Sequence, residues 1–164
     1  MENFYEQLIT TYKTGIYKVV EVLFYLFGVM ALITLSINLV FFIIFLLLGI
    51  GMLFLKRNLY VEYEYVFTNG EIDIDKIVEM KKRSHVFSFD IKNTELLAAE
   101  DSDYVKDFSN KPSKVLNLFP KTTDKKIYVA MITGGNERVQ VRFVPDEEFV
   151  NLCYKYNPRA VKKY

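Results

Sequence analysis

VLFYLFGVMALITLSINLVFFIIFLLLGIGMLFL, residues 22–55, runs for 34 positions without a charged side chain. A single straight helix of that length would measure roughly 51 Å against a hydrocarbon core of about 30 Å. Fitting it would require a tilt beyond about 50°, outside the usual range for membrane helices. A hairpin fits instead. Thr34, Ser36 and Asn38 put three hydrogen-bonding side chains at the middle of the run, and Asn tolerates the left-handed backbone of a tight turn. The reading is a first span over residues 16–35 and a second over residues 39–55. Each helix pairs its own backbone amides, as lipid demands.

Outward from this run the charges are uneven. Residues 1–55 carry only Glu2, Glu6, Lys13, Lys18 and Glu21, whereas the remaining 109 residues hold 36 of the 41 charged side chains. Lys13 and Lys18 flank the first span, Lys56 and Arg57 follow the second, and the turn between has no basic residue. The positive-inside rule then places both termini in the cytoplasm of a plasma-membrane protein with two spans. Too long for the apolar core of a cleaved signal peptide, the run also lacks a small-residue cleavage site. Asn3 with Glu6 three residues on, and Phe4, Leu8, Tyr12 and Ile16 at four-residue spacing, predict a surface helix leading into the first span. Residues 1–57 are thus read as this helix plus the hairpin. Glu21 has Lys18 three residues before it, which predicts pairing or snorkelling rather than ion handling. Gly49-Ile50-Gly51 offers a close approach between the spans.

Residues 58–164 are read as a polar module. From Leu59 the period becomes two: Val61, Tyr63, Tyr65 and Phe67 on one face, Glu62, Glu64, Val66 and Thr68 on the other. Asn69-Gly70 is the strongest short hairpin signal, and a two-residue loop pairs Phe67 with Ile72 and Tyr65 with Ile74. Glu62, Glu64, Asp73 and Asp75 then collect on the outer face, with Glu64 opposite Asp75, repulsive unless cations lie beside them. Lys81-Lys82-Arg83, opening a third strand through Val86, Phe87, Phe89 and Ile91, is the natural neutraliser. Further strands read as residues 96–99, 115–119, 127–132 and 139–144, the last two joined across Gly134-Gly135-Asn136. Arg138, Gln140 and Arg142 fall on a solvated face, and residues 101–114 form an irregular loop. After Pro145 the pattern turns helical, with Asp146, Glu147 and Glu148 at the positive end and Phe149, Leu152, Cys153 and Tyr156 as the apolar face. Asn157-Pro158 stops it.

A net charge of +1 gives no electrostatic reason to seek nucleic acid. One cysteine excludes an internal disulfide, and one histidine with one cysteine cannot make a zinc site of the usual kind. Cys153 reads as an inert core thiol and His85 as a surface strand residue, with no nucleophile paired to a histidine. No phosphate loop or metal-ligand spacing occurs, so no catalytic residue, cofactor or metal is expected.

The run of residues 63–77, YEYVFTNGEIDIDKI, followed by Lys82-Arg83 and Phe89-Asp90-Ile91-Lys92, resembles the opening strands of the pleckstrin-homology-like (PH-like) fold of bacterial membrane proteins. With its two N-terminal spans the chain resembles an uncharacterised family of such anchored proteins from Gram-positive bacteria. The resemblance implies an α+β membrane protein: a two-helix transmembrane hairpin, then an antiparallel PH-like sandwich or barrel of six to seven strands closed by a C-terminal helix. It implies no activity. Phosphoinositide-binding relatives carry Lys and Arg around the first hairpin, whereas here Glu64, Glu71, Asp73 and Asp75 flank it and would repel an anion.

The leading functional expectation is a non-enzymatic, membrane-anchored interaction module whose partners are the bilayer and another protein or a second copy of itself. The alternative is an anionic-lipid or membrane-surface sensor. Candidate membrane-proximal or partner-binding residues are Lys56, Arg57, Lys81, Lys82, Arg83, Lys125 and Lys126, of which all but Arg83 would serve the sensor, each contributing roughly 1 kcal/mol. An accessory subunit of a membrane complex, or a small membrane enzyme using Glu21 or the Asp73 and Asp75 pair, completes the set.

Overall fold

The computed structural model of the chain describes residues 3–109, 112–133 and 137–163. The expected turn at Gly134-Gly135-Asn136, and Asn110-Lys111 of the expected loop, lie outside these residues.

Helices α1 (Gly15–Leu35) and α2 (Leu39–Leu59) form the hairpin, 21 residues each. At 1.5 Å per residue each is about 32 Å long, and both are long and apolar enough to cross a bilayer. The turn falls at Ser36 and Ile37. Asn38 closes it in a different way from that expected: its backbone is extended (φ −155°), and its side chain caps α2 by accepting from the amides of Val40 and Phe41. The helices pack along Phe27 and Phe45, and a Cβ on Gly49 would sit 3.8 Å from that of Phe27. Gly49 is thus at the contact, while Gly51 faces open space.

Residues 4–9 are a strand, not the expected surface helix. β1 (Phe4–Ile9) pairs antiparallel with β2 (Val61–Thr68), Tyr5 opposite Phe67 and Leu8 opposite Glu64. The chain therefore lays down an edge strand, leaves through the hairpin and returns beside it. β2, β3 (Glu71–Val78) and β4 (Lys82–Asp90) complete a sheet of order β1-β2-β3-β4. Asn69 (φ 52°) and Gly70 (φ 104°) form the turn, and Phe67↔Ile72 and Tyr65↔Ile74 pair in the expected register.

The second sheet has the order β5-β7-β8-β6, from β5 (Thr94–Ala99), β6 (Lys114–Asn117), β7 (Tyr128–Thr133) and β8 (Arg138–Phe143). β6 runs parallel to β8, so the module is not wholly antiparallel, and neither sheet closes into a barrel among the described residues. Part of the expected loop is a short helix, α3 (Asp103–Lys106), and Val105 and Phe108 cover Leu96, Ala98, Val129 and Met131 on the far face of this sheet. That face, expected to be solvated, carries a small second core.

α4 (Glu147–Tyr156) starts where Asp146 accepts from the Phe149 amide and ends at Asn157. Its buried Phe149 and Cys153 join the inner faces of both sheets in one core. The Phe149 ring meets Tyr5, Tyr65, Phe67 and Phe143 at 5.9–6.3 Å, mostly edge to face. The Tyr65 hydroxyl donates to the Leu118 carbonyl at 2.6 Å, and Gln7 bonds the Val144 carbonyl and the Asp146 amide. Buried polar groups on the inner faces thereby find partners, which ties β1 to the C-terminal segment.

Candidate functional site

Two surfaces combine charge with unusual exposure: the end of the module that meets the helix hairpin, and the outer face of the first sheet.

At the hairpin end, Lys56 Nζ donates to Glu21 Oε1 at 2.7 Å and lies 5.5 Å from the centre of the Tyr17 ring, which packs on Tyr60. The partner of Glu21 is thus across the hairpin, because Lys56 in the last turn of α2 comes level with the second turn of antiparallel α1. Of the seven basic residues singled out by sequence, Lys56 is taken up by this clamp. Arg57 is half-buried in the last turn of α2, where a cation is favoured by the helix dipole. The β3–β4 turn comes back to the same place, since Val78 pairs with Val61 and the Glu79 amide donates to the Tyr60 carbonyl at 3.1 Å. It carries Lys81 and Lys82, both exposed, and exposed Met80. Glu79 (φ 52°) and Met80 (φ 56°) hold this turn in left-handed backbone without glycine, a strain of roughly 1–2 kcal/mol per residue. Lys125 and Lys126 stand on the exposed loop leading into β7 of the other sheet. Arg83 is directed elsewhere.

Arg83 belongs to the outer face of the first sheet. Directly opposed residues share a face, so Phe4, Glu6 and Leu8 of β1 lie beside Glu62, Glu64 and Val66 of β2, then Asp73, Asp75 and Ile77 of β3. Glu62 and Glu64 are 2% and 3% exposed, although this was the face expected to be open. Arg83 bonds Glu64 Oε1 and reaches Asp75 at 3.9 Å, so one of the three basic residues in 81–83 does the neutralising. Burial and the adjoining Glu6 carboxyl push the Glu64 carboxyl above the ordinary range, against the pull of Arg83. Oε1 of Glu62 and Oε2 of Glu64 are buried without a hydrogen-bond partner among the described residues. Only protonation would let Glu6 and Glu64 share a hydrogen bond.

His85 is engaged more closely than expected. Its Nδ1 lies 3.0 Å from Asp75 Oδ1 and its Nε2 3.0 Å from Ser88 Oγ. His85 is the exposed strand residue expected, and the Asp75–His85–Ser88 string has the order, though not the proton direction, of a Ser-His-Asp relay. Register explains it: a bulge in β4 sets Phe87 opposite Ile74 and His85 opposite Asp75, skipping Val86, so residues three apart share a face. Ser88 directs its own proton to Asp73, and Ser88 and His85 are both exposed. The serine is therefore not poised to give its proton to the imidazole, and what the network does is tie β3 to β4. No group of three His, Cys, Asp or Glu suited to a metal ion occurs among the described residues. Cys153 is buried, and burial pushes its thiol up to about 12, which keeps it protonated.

No curated protein and no solved structure matches the chain. A family profile does: residues 1–163 match the one described as Bacterial PH-like domain (DUF6106). That match takes in β1, the helix hairpin, both sheets and α4 together, and the chain belongs to this family of bacterial PH-like domains.

Proposed function

We propose that the chain is a non-enzymatic, membrane-anchored interaction module: the hairpin α1–α2 spans the bilayer, both termini are cytoplasmic, and the outer face of the first sheet receives a protein partner. The anchor is supported by the helix surfaces, on which Val22, Val29, Leu32, Val40, Leu47 and Phe54 are exposed and apolar. Water would not tolerate such a surface, and lipid satisfies it. Lys13, Lys18, Lys56 and Arg57 at one end support the orientation.

The observation that carries the partner surface is the pair of unpartnered buried carboxylate oxygens, on Glu62 and Glu64, with exposed Leu8 (48%) directly opposite Glu64 and exposed Phe4 (61%) farther along the same edge strand. Buried acceptors without donors are costly, by about 1–3 kcal/mol each. A segment with Lys or Arg beside apolar side chains would supply donors to the carboxylates and cover Phe4 and Leu8 at once. A photo-crosslinking residue at Leu8, in the full chain in its native membrane, should capture one defined protein or a second copy. Crosslinks to lipid only, with the same yield after Glu62→Gln and Glu64→Gln, would remove this surface from consideration.

A further inference from the structure

A cleft of about 700 Å³ opens between the two sheets at the end where the hairpin joins the module. Three cations line it, Lys76, Lys121 and Arg142; no carboxylate does among the described residues, and Glu100 pairs with Arg142 from outside the lining. They come from three places: Lys76 from the inner side of β3, Lys121 from the loop after β6, and Arg142 from β8. Sequence reading assigned none of them to a site and gave Arg142 to solvent.

Arg142 is held from several sides. Its Nη1 donates to Asn117 Oδ1 at 2.8 Å, its Nη2 pairs with Glu100, and the guanidinium lies 5.6 Å from the centre of the Phe119 ring. Its Nε is buried and has no acceptor among the described residues. Of the five guanidinium N–H groups one on each Nη is engaged and Nε is buried, so the second hydrogens of Nη1 and Nη2 remain for a ligand, and the two lysines add strongly hydrated point charges. Ile16, at the start of α1, and Leu59, at the end of α2, form the side of the cleft next to the hairpin. The walls thus pass from apolar, at the level where the spans leave the hydrocarbon, to cationic within the module.

We propose that this cleft binds the phosphate of an anionic lipid headgroup drawn from the cytoplasmic leaflet, with Lys76, Lys121 and Arg142 as its ligands. The inference rests on the anchored reading above, and deepens it by giving the module a lipid contact at a built site rather than through the exposed lysines of the β3–β4 turn. Phosphate is the chemistry that matches one guanidinium and two ammonium groups. A lipid is favoured as its source because the apolar wall adjoins the spans and would take the glycerol and first methylenes.

The test uses the full chain in mild detergent, with native mass spectrometry of bound phosphatidylglycerol against phosphatidylcholine of the same acyl chains, and inorganic phosphate as a competitor. Phosphatidylglycerol should be retained at least tenfold more strongly. Lys76→Gln with Lys121→Gln should lower its binding about 30-fold, as expected for two interfacial cations. Lys125→Gln with Lys126→Gln should leave it unchanged, and Arg142 is kept because it also joins β6 to β8. Equal retention of the two lipids, or an undiminished preference in the Lys76 and Lys121 variant, would overturn the proposal. Phosphate binding without lipid preference would overturn the lipid source. Alkaline carbonate extraction of native membranes separates the two levels: a chain that stays in the pellet yet shows no preference sinks the cleft alone, and a chain released to the supernatant sinks the anchor with it.

Discussion

Replacing Glu64 by Gln tests whether a buried, proton-hungry carboxyl sits on the outer face of the first sheet. Glu64 is 3% exposed, meets Arg83 through Oε1, has Glu6 beside it, and leaves Oε2 without a donor. Burial and the Glu6 carboxyl hold its proton above the ordinary carboxylate range, so over pH values just above about 4.5 the folded chain keeps a proton that the unfolded chain has already lost. Stability must then fall as pH rises from 4.5 through the folded-state value, the reverse of a salt-bridged acid. Glutamine keeps the shape and one acceptor, puts an amide that can donate to the adjoining Glu6 carboxyl where the unpartnered oxygen stood, and removes the charge. The Arg83 contact survives in weakened form, since the glutamine carbonyl can still accept from a guanidinium that is itself more than half exposed, at a cost of about 1 kcal/mol. Relieving a buried unsatisfied acceptor gains about 1–3 kcal/mol, so Glu64→Gln should stabilise the module by up to about 2 kcal/mol at pH 8. Thermal unfolding in detergent, followed by tyrosine near-ultraviolet circular dichroism, should show Tm raised by up to about 12 °C at pH 8. The gain should shrink toward pH 4.5. A variant less stable than the parent at pH 8, or a difference that does not change with pH, would refute the reasoning.

Gly70→Ala should be strongly destabilising, by about 2–4 kcal/mol in the same melt: φ is 104° there, and a Cβ would stand 2.8 Å from Tyr156 Cδ1. A loss below about 0.5 kcal/mol would show that the Tyr156 ring, which packs on Phe67, moves aside freely. Cys153, buried and held protonated, should resist iodoacetamide at pH 8 in the folded chain and react fully in denaturant; equal rates would contradict its place in the core.

The parts of the fold legible in sequence were those set by neighbours along the chain. The uncharged run gave two helices with a turn at Ser36 and Ile37, Asn69-Gly70 gave both the hairpin and its register, and Asp146 gave the start of α4. β1 escaped because Phe4 and Leu8 fit both a four-residue and a two-residue period, and its partner strand lies some 60 residues away beyond the hairpin. The same limit applied to the sites. Alternation told which face Glu62 and Glu64 share, but not that their neighbours would bury them. His85 and Ser88, three apart, belong on opposite faces of a regular strand, and only the bulge at Val86 unites them. Lys76, Lys121 and Arg142 converge through the packing of two sheets, for which no local pattern exists.

A hairpin that crosses the bilayer and leaves the β module in the cytoplasm, as proposed above, is directly testable. Single cysteines placed at Ile37, in the exposed turn between the spans, and at Lys125, on the exposed loop before β7, can be probed in intact cells with a maleimide that does not cross membranes. Ile37→Cys should be labelled on intact cells and Lys125→Cys only after lysis. Labelling of Lys125→Cys on intact cells, or of neither position until lysis, would contradict this topology.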